Sequence, residues 1–359
     1  MKIVVYAISK NEEKFVNRWV NSMQEADEIY VLDTGSTDNT VKLLKENKVH
    51  VKQKEIKPWR FDKARNESLK MVPKDTDICV CTDLDEVFNP GWRNILESIW
   101  QKNTNNCQYI YNWSLDDLNK PIVSFYYNKI HDLKHYKWIN PVHEVLNCSL
   151  KKENIVKSDK IILNHYPDST KSRASYLPLL ELSVKENPNN DRNMHYLGRE
   201  YMYYGKWNDA IDTLIKHLHL PTSLWKDERC ASMRFIGRCY MNLLRYDEAE
   251  FWFNKAIYEA PYLRDPYMEK AILFYKEERW EELINVINEA LSIKEHEKTY
   301  INEPFSWNET PYDLLSIGYY NTKQYNLALE SINKAIEINN NDERLKNNKI
   351  IICNAQKDN

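Results

Sequence analysis

The sequence predicts two architectures in one chain, an α/β domain with a parallel sheet and, after it, an all-α domain of helical repeats. Three observations carry that reading. Over roughly the first ninety residues, apolar strand-like runs alternate with helical stretches. From about Ser172 the pattern is helical throughout. Within this second part, small and aromatic residues return at fixed offsets.

Lys2-Ile3-Val4-Val5-Tyr6-Ala7-Ile8 is a continuous apolar run, as in a strand buried on both faces. Glu12 to Met23 has helical spacing, with Phe15, Val16, Trp19, Val20 and Met23 on one face. Glu28 to Asp33 is a second strand, Thr34 to Asp38 a turn, Val41 to Asn47 a helix and Val49 to Val51 a short third strand. Asp62 to Met71 is helical, and Asp77 to Cys81 is a fourth strand running into Thr82-Asp83-Leu84-Asp85-Glu86. Strands separated by helices imply right-handed βαβ units and a parallel sheet. The stretch 103–137 gives no clear pattern, and its His131 and His135 read as loop residues.

In the second part Gly198, Gly237, Ala271 and Ser316 align. Three residues on stand Tyr201, Tyr240, Phe274 and Tyr319, and nine on stand Trp207, Tyr246, Trp280 and Tyr325. Twelve on come Ala210, Ala249, Leu283 and Ala328, and Ala256, Ala290 and Ala335 follow in three copies. The intervals are 39, 34 and 45 residues. The middle one is the tetratricopeptide period of about 34, and the others fit that period with insertions near 219–229 and 295–310. A small residue lets two helices approach and an aromatic fills the gap to the next pair, so the pairs must stack. The repeat-aligned aromatics therefore read as packing groups. Asp342 to Ile351 reads as a polar capping helix.

Composition excludes several classes. Lys+Arg 50 against Asp+Glu 53 leaves a net charge of −3, a poor basis for neutralising a nucleic-acid backbone. Six glycines in 359 residues disfavour glycine-rich phosphate loops. No apolar run approaches the roughly 20 residues of a membrane span, and the N-terminus reads as a strand rather than a signal peptide. Seven irregularly spaced cysteines without C-x-x-C suggest a reduced, cytoplasmic protein.

The residues that suggest chemistry cluster at strand ends, where open α/β sheets gather ligands. Asp83 and Asp85, one residue apart, face the same side if the chain is extended. Two such carboxylates invite a hard divalent cation shared with phosphate oxygens. The bland alternative is a solvated helix cap. Asp33 ends the second strand and Asn11-Glu12-Glu13 follows the first. Arg65 lies on the helix before the acidic strand, where a guanidinium suits a diphosphate or a surface ion pair.

Taken together, Ile8-Ser9-Lys10-Asn11-Glu12-Glu13, Asp33-Thr34-Gly35-Ser36-Thr37-Asp38-Asn39-Thr40, Ala64-Arg65-Asn66 and Thr82-Asp83-Leu84-Asp85-Glu86 resemble the GT-A (Rossmann-like) glycosyltransferases of the inverting family 2. Trp138 to Glu144 and Ile161 to Tyr166 resemble the "VHE" and "I-x-H-x-Y" segments of one branch. That branch includes lipopolysaccharide-core glucosyltransferase-like proteins, and sublancin-type S-glycosyltransferases share the tetratricopeptide-bearing architecture. The resemblance implies a GT-A nucleotide-sugar domain over 1–170, a linking helix over 171–192 and tetratricopeptide-like repeats over 193–359.

It implies a hexosyl transfer from a nucleotide-sugar, UDP-linked by analogy, to a protein, peptide or glycan acceptor, with Mn²⁺ or Mg²⁺. Ser9, Glu12 and Asp33 would hold the nucleoside, Arg65 and Asp83 the sugar-nucleotide, and Asp85 with His165 the metal. Glu144 or His143 would be the base, with Asp116 and Asp117 as rivals. Adjacent residues of an extended segment face opposite ways, so one of Glu144 and His143 reaches the acceptor. The repeats would bind the acceptor or pair two chains into a homodimer. The competing reading is an interaction scaffold with an inactive GT-A domain. A nucleotidyltransferase fits less well, because Ser9-Lys10-Asn11-Glu12-Glu13 is acidic and lacks glycine.

Overall fold

The computed structural model describes residues 1–357 apart from 169, 171–173 and 297. The first half runs β1 (Ile3–Ser9), α1 (Glu13–Met23), β2 (Glu28–Asp33), α2 (Thr40–Glu46), β3 (His50–Gln53), α3 (Phe61–Leu69), β4 (Ile78–Cys81) and β5 (Glu86–Phe88). It continues with α4 (Trp92–Ile99), β6 (Asn106–Leu115), β7 (Pro121–His131), β8 (Tyr136–Ile139), β9 (Val145–Cys148), β10 (Ile155–His165) and α5 (Tyr176–Glu186). Among the described residues eight strands form one sheet in the order β3-β2-β1-β4-β7-β6-β10-β5, and β8 and β9 pair separately.

The parallel arrangement holds for β3, β2, β1 and β4. Beyond β4 the sheet turns mixed, with β7 antiparallel to both β4 and β6, β10 parallel to β6, and β5 antiparallel to β10. The featureless stretch is thus a long β6–β7 hairpin. His131 is not a loop residue: it pairs with Cys79 at the end of β7 and is fully buried. His135 does sit in a turn, its ring Nδ1 2.8 Å from Asp132 Oδ2.

The apolar run of β1 is buried because both faces are covered. Ile3, Val5 and Ala7 meet Val16, Trp19 and Met23 of α1, while Val4 and Tyr6 meet Leu69, Val72 and Trp138 on the other side. Alternate residues of one strand thus feed two cores.

By backbone contacts the chain divides into two compact units, 1–183 with 298–300, and 184–297 with 301–359. The start of the expected linking helix over 171–192 falls on 171–173, outside the described residues. Its remainder is two helices, since α6 (Asp191–Tyr203) starts afresh with Asn190 Oδ1 accepting the Asn193 N–H at 2.9 Å.

The helical unit continues as α7 (Trp207–His219), α8 (Lys226–Asn242), α9 (Tyr246–Glu259), α10 (Asp265–Lys276), α11 (Trp280–Ser292), α12 (Thr310–Asn321), α13 (Tyr325–Ile338) and α14 (Glu343–Lys357). The aligned small residues mark close crossings. A Cβ on Gly198 would lie 2.5 Å from Leu214 Cγ, and one on Gly237 would lie 2.8 Å from Phe253 Cζ. Ala271 and Ser316 take the same place, fully buried. Phe274 is buried, and Tyr240, Trp280 and Tyr319 pack against the apolar clusters. The turn inside each pair repeats as well. Gly205, Leu244, Glu278 and Lys323 all take left-handed φ, of 69°, 58°, 57° and 61°, two residues before the aligned aromatic. The last helix buries Leu345 and Ile352 but exposes Ile350 and Ile351, so it is a less polar cap than expected.

Candidate active site

The loop after β2 is organised by Asp33, which is fully buried. Its Oδ1 accepts the Gly35 and Ser36 backbone N–H groups at 3.2 and 3.0 Å. Its Oδ2 accepts the Ser9 hydroxyl at 3.1 Å and the Ser36 hydroxyl. Ser9 is buried beside it, and its carbonyl accepts the Thr34 N–H at 2.8 Å. The Glu12 N–H donates to the Thr40 hydroxyl at 2.7 Å, tying the end of β1 to the start of α2. The carboxylate of Asp33 is committed to shaping this loop, a geometry the D-x-G-S string encodes.

At the end of β4 the chain turns rather than continuing extended, because Leu84 is driven into the core at 2 % exposure and the Asp83 N–H donates to Glu86 Oε2 at 2.8 Å. The same-side expectation for Asp83 and Asp85 fails for that reason, and the two carboxylates take different partners. Asp83 lies 2.8 Å from Arg65 Nη2 and 3.1 Å from Lys129 Nζ. Burial alone would lift its pKa, but Arg65 and Lys129 overcome that and hold it well below the usual carboxylate range. Glu86, fully buried 3.4 Å from Lys129, goes the other way: burial raises it and outweighs the lysine.

Arg65 is 4 % exposed and bridges Asp83 and Glu144, donating through Nε to Glu144 Oε1. Burial disfavours its charge, and Asp83 and Glu144 more than restore it. The guanidinium expected at a diphosphate is thus spent on two protein carboxylates. Its helix is fixed by Asn66, whose amide donates to the Trp138 carbonyl at 2.8 Å and accepts the Trp138 N–H at 3.0 Å.

Asp85 faces His165. The β5–β10 pairing sets Glu86 opposite His165, and Asp85 Oδ2 then lies 3.4 Å from His165 Nε2. His165 Nδ1 is 2.9 Å from the Trp113 carbonyl, which can only accept, so Nδ1 carries a proton, and Nε2 faces Asp85 as a lone pair when the ring is neutral and as a second N–H donor when it is protonated. A lone pair and a carboxylate oxygen at this distance require a cation or proton between them. Burial lowers the His165 pKa, but Asp85, the Trp113 carbonyl and Glu86 together more than restore it. Among the described residues no three His, Cys, Asp or Glu side chains converge on one point. Two protein donors with the remaining positions open still suit a hard divalent ion that completes its shell with phosphate oxygens and water.

The segment holding the other candidates is a turn. Asn140 and His143 take left-handed φ of 78° and 47°, so the argument from an extended chain does not apply to Glu144 and His143. Glu144 reaches Arg65, while the His143 ring packs edge-on against Tyr176 at 5.8 Å. Asp116 and Asp117 are exposed at the tip of the β6–β7 hairpin. Asp116 Oδ1 accepts the Leu118 and Lys120 N–H groups at 2.9 and 2.7 Å.

Three residues near this charge cluster escaped the sequence reading, Trp113, Tyr127 and Lys129, and Glu86 was quoted in the acidic motif without a role of its own. Tyr127 stacks on Tyr111 with ring centres 5.1 Å apart, and its pKa is pushed up to about 12, first by burial. The available signal was Lys129 in register with Phe125 and Tyr127, a lysine on the aromatic face of an alternating strand.

Residues 4–157 match the glycosyl transferase family 2 model, and residues 235–262 and 312–342 match a tetratricopeptide repeat. The SPbeta prophage-derived glycosyltransferase SunS of Bacillus subtilis (strain 168) is 25 % identical over 313 residues, 81 % of this chain and 70 % of that protein. The glycosyltransferase SunS of Bacillus phage SPbeta matches with the same figures. Among solved structures, the C-terminal part of a TPR repeat-containing protein from Cytophaga hutchinsonii is 16 % identical, covering 51 % of this chain and 66 % of that one, with a TM-score of 0.42. Residues 4–157 are therefore a glycosyl transferase family 2 domain, tetratricopeptide repeats follow it, and the chain is a glycosyltransferase.

Proposed function

We propose that the chain transfers a hexose from a nucleotide-sugar, UDP-linked by family analogy, to a protein, peptide or glycan acceptor, with inversion and with a divalent ion. The observation that carries this reading is the Asp85–His165 pair, whose 3.4 Å separation and fixed histidine tautomer leave two donor atoms facing one point. When bound there, Mn²⁺ or Mg²⁺ would offset the charge that develops on the departing diphosphate.

The chain's own residues supply the rest. Asp33 and Ser9 hold the β2 loop so that its backbone and Glu12 can receive the nucleoside. Arg65 and Lys129 keep Asp83 ionised and aimed, which suits hydrogen bonding to the donor's hydroxyls. Glu144 is the favoured proton acceptor for the attacking group because it adjoins this network, with His143 as the alternative. The repeats serve acceptor binding or the pairing of two chains. Light scattering on the full chain separates these roles, since a two-chain mass supports pairing and a one-chain mass supports acceptor binding.

Hydrolysis of UDP-sugars tests the enzyme reading against the inactive-scaffold reading. The wild type should release UDP with Mn²⁺ at a rate well above a metal-free blank, and Asp85→Ala should fall to that blank while melting normally. A wild type indistinguishable from the blank supports the scaffold, and a fully active Asp85→Ala removes the metal assignment.

A further inference from the structure

The β6–β7 hairpin carries rings on one face. Tyr109 and Tyr111 are two residues apart along β6 and share a side of the sheet; a register shift between Asn112 and Ser114 interrupts the alternation at Trp113, but its ring continues the row, its centre 6.3 Å from that of Tyr111. Their exposure climbs along the strand, from 0 % at Tyr109 through 4 % at Tyr111 to 47 % at Trp113. Trp113 is thus a large apolar ring left half bare at the open end of a packed row.

Its position is fixed from below. The His165 imidazole stacks on the indole, with ring centres 4.8 Å apart and planes 26° apart, and His165 Nδ1 donates to the Trp113 carbonyl. The opposite edge of the same imidazole faces Asp85. The indole is therefore held one side chain away from the carboxylate assigned to the diphosphate end of the donor. The carboxylates assigned to the donor there, Asp83 and Asp85, are charged, and so are Arg65 and Lys129 behind Asp83. Charged groups suit phosphates and hydroxyls, whereas the C–H face of a sugar ring needs an apolar surface. The sugar of a nucleotide-sugar is bonded directly to the second phosphate, so it must lie beside whatever holds that phosphate.

We propose that Trp113 is the platform on which the ring of the transferred hexose stacks. The inference rests on the donor reading above and adds a contact made by the sugar but not by the nucleotide. It predicts a split between the two ligands that a purely supporting role for Trp113 would not produce.

The test is calorimetric titration of the full chain with UDP and with UDP-glucose, UDP-galactose and UDP-N-acetylglucosamine in Mn²⁺, for the wild type, Trp113→Ala and Trp113→Phe. Trp113 is half exposed, so both variants should fold, and thermal melting checks this. UDP should bind all three proteins with the same affinity. The preferred UDP-hexose should bind Trp113→Ala about two- to tenfold more weakly than the wild type, with Trp113→Phe between them.

Equal losses for UDP and UDP-hexose would mean that Trp113 only supports His165, and would overturn the proposal. So would an unchanged UDP-hexose affinity, including the case where acceptor KM rises instead. So would a wild type that binds UDP with no contribution from any hexose. A wild type that binds neither UDP nor any UDP-hexose would instead overturn the donor reading itself, and this inference with it.

Discussion

His131 illustrates how far a single residue can differ from its sequence appearance. In the chain it stands in an unpatterned stretch, but in the fold it closes a buried polar chain. The Trp138 indole N–H donates to the Tyr6 hydroxyl at 2.8 Å, that hydroxyl lies 2.8 Å from His131 Nε2, and His131 Nδ1 lies 2.6 Å from the Asp132 carbonyl. The carbonyl can only accept, so Nδ1 donates and Nε2 accepts from Tyr6. Every donor has an acceptor only while the ring is neutral. Burial pushes the His131 pKa from 6.5 down to about 4. Between those values the unfolded chain binds the proton and the folded one does not. Stability from this site is thus complete above pH 6.5 and is lost as the pH falls towards 4, by about 3 kcal/mol at the limit. NMR titration of the ring, with denaturant midpoints over the same range, checks this. A ring that titrates near 6.5 with flat midpoints contradicts it. Glu144 and Arg65 teach a related lesson. Each was visible as a candidate, but their mutual pairing spans 79 positions and depends on a turn at Asn140–His143 that no local pattern announces.

At the scale of elements, what was legible depended on period. The βαβ half was readable because α1 concentrates its apolar residues on one face and β1 is apolar throughout. The repeats were readable because each needs a small residue opposite a bulky one. The hairpin was not, because rings and polar groups stand side by side along β6 and β7, register shifts interrupt their alternation, and β5 is only three residues long. Two substitutions of opposite sign test the repeat account. Gly237→Ala gains helix propensity, worth about 1 kcal/mol, but drives a methyl into the fully buried Phe253 ring. Overpacking of about 1–3 kcal/mol should win, lowering the melting temperature. Leu244→Gly removes an exposed side chain from a left-handed residue. That relief of about 1–2 kcal/mol should exceed the entropy glycine adds to the unfolded chain. Thermal unfolding of both variants decides, and a stabilised Gly237→Ala or a destabilised Leu244→Gly would contradict the packing described.

For the whole molecule, sequence motifs located the ends of β1, β2 and β4, and the fold adds what they lacked. Strands β6, β7 and β10 bring Trp113, Lys129 and His165 to the end of β4, all from positions far along the chain. His165 was legible through its family segment, whereas Lys129 and Trp113 acquire their meaning only from strand pairing. Among the described residues no helix is long and apolar enough to cross a membrane.

The proposed transfer requires Asp85 and His165 to hold a divalent cation at the diphosphate of a bound nucleotide. The most direct measurement is anomalous diffraction at the manganese edge from crystals grown with Mn²⁺ and UDP. One peak should lie between Asp85 Oδ2, His165 Nε2 and the diphosphate oxygens. Ordered UDP with no peak there, or with manganese bound only elsewhere, would contradict the account.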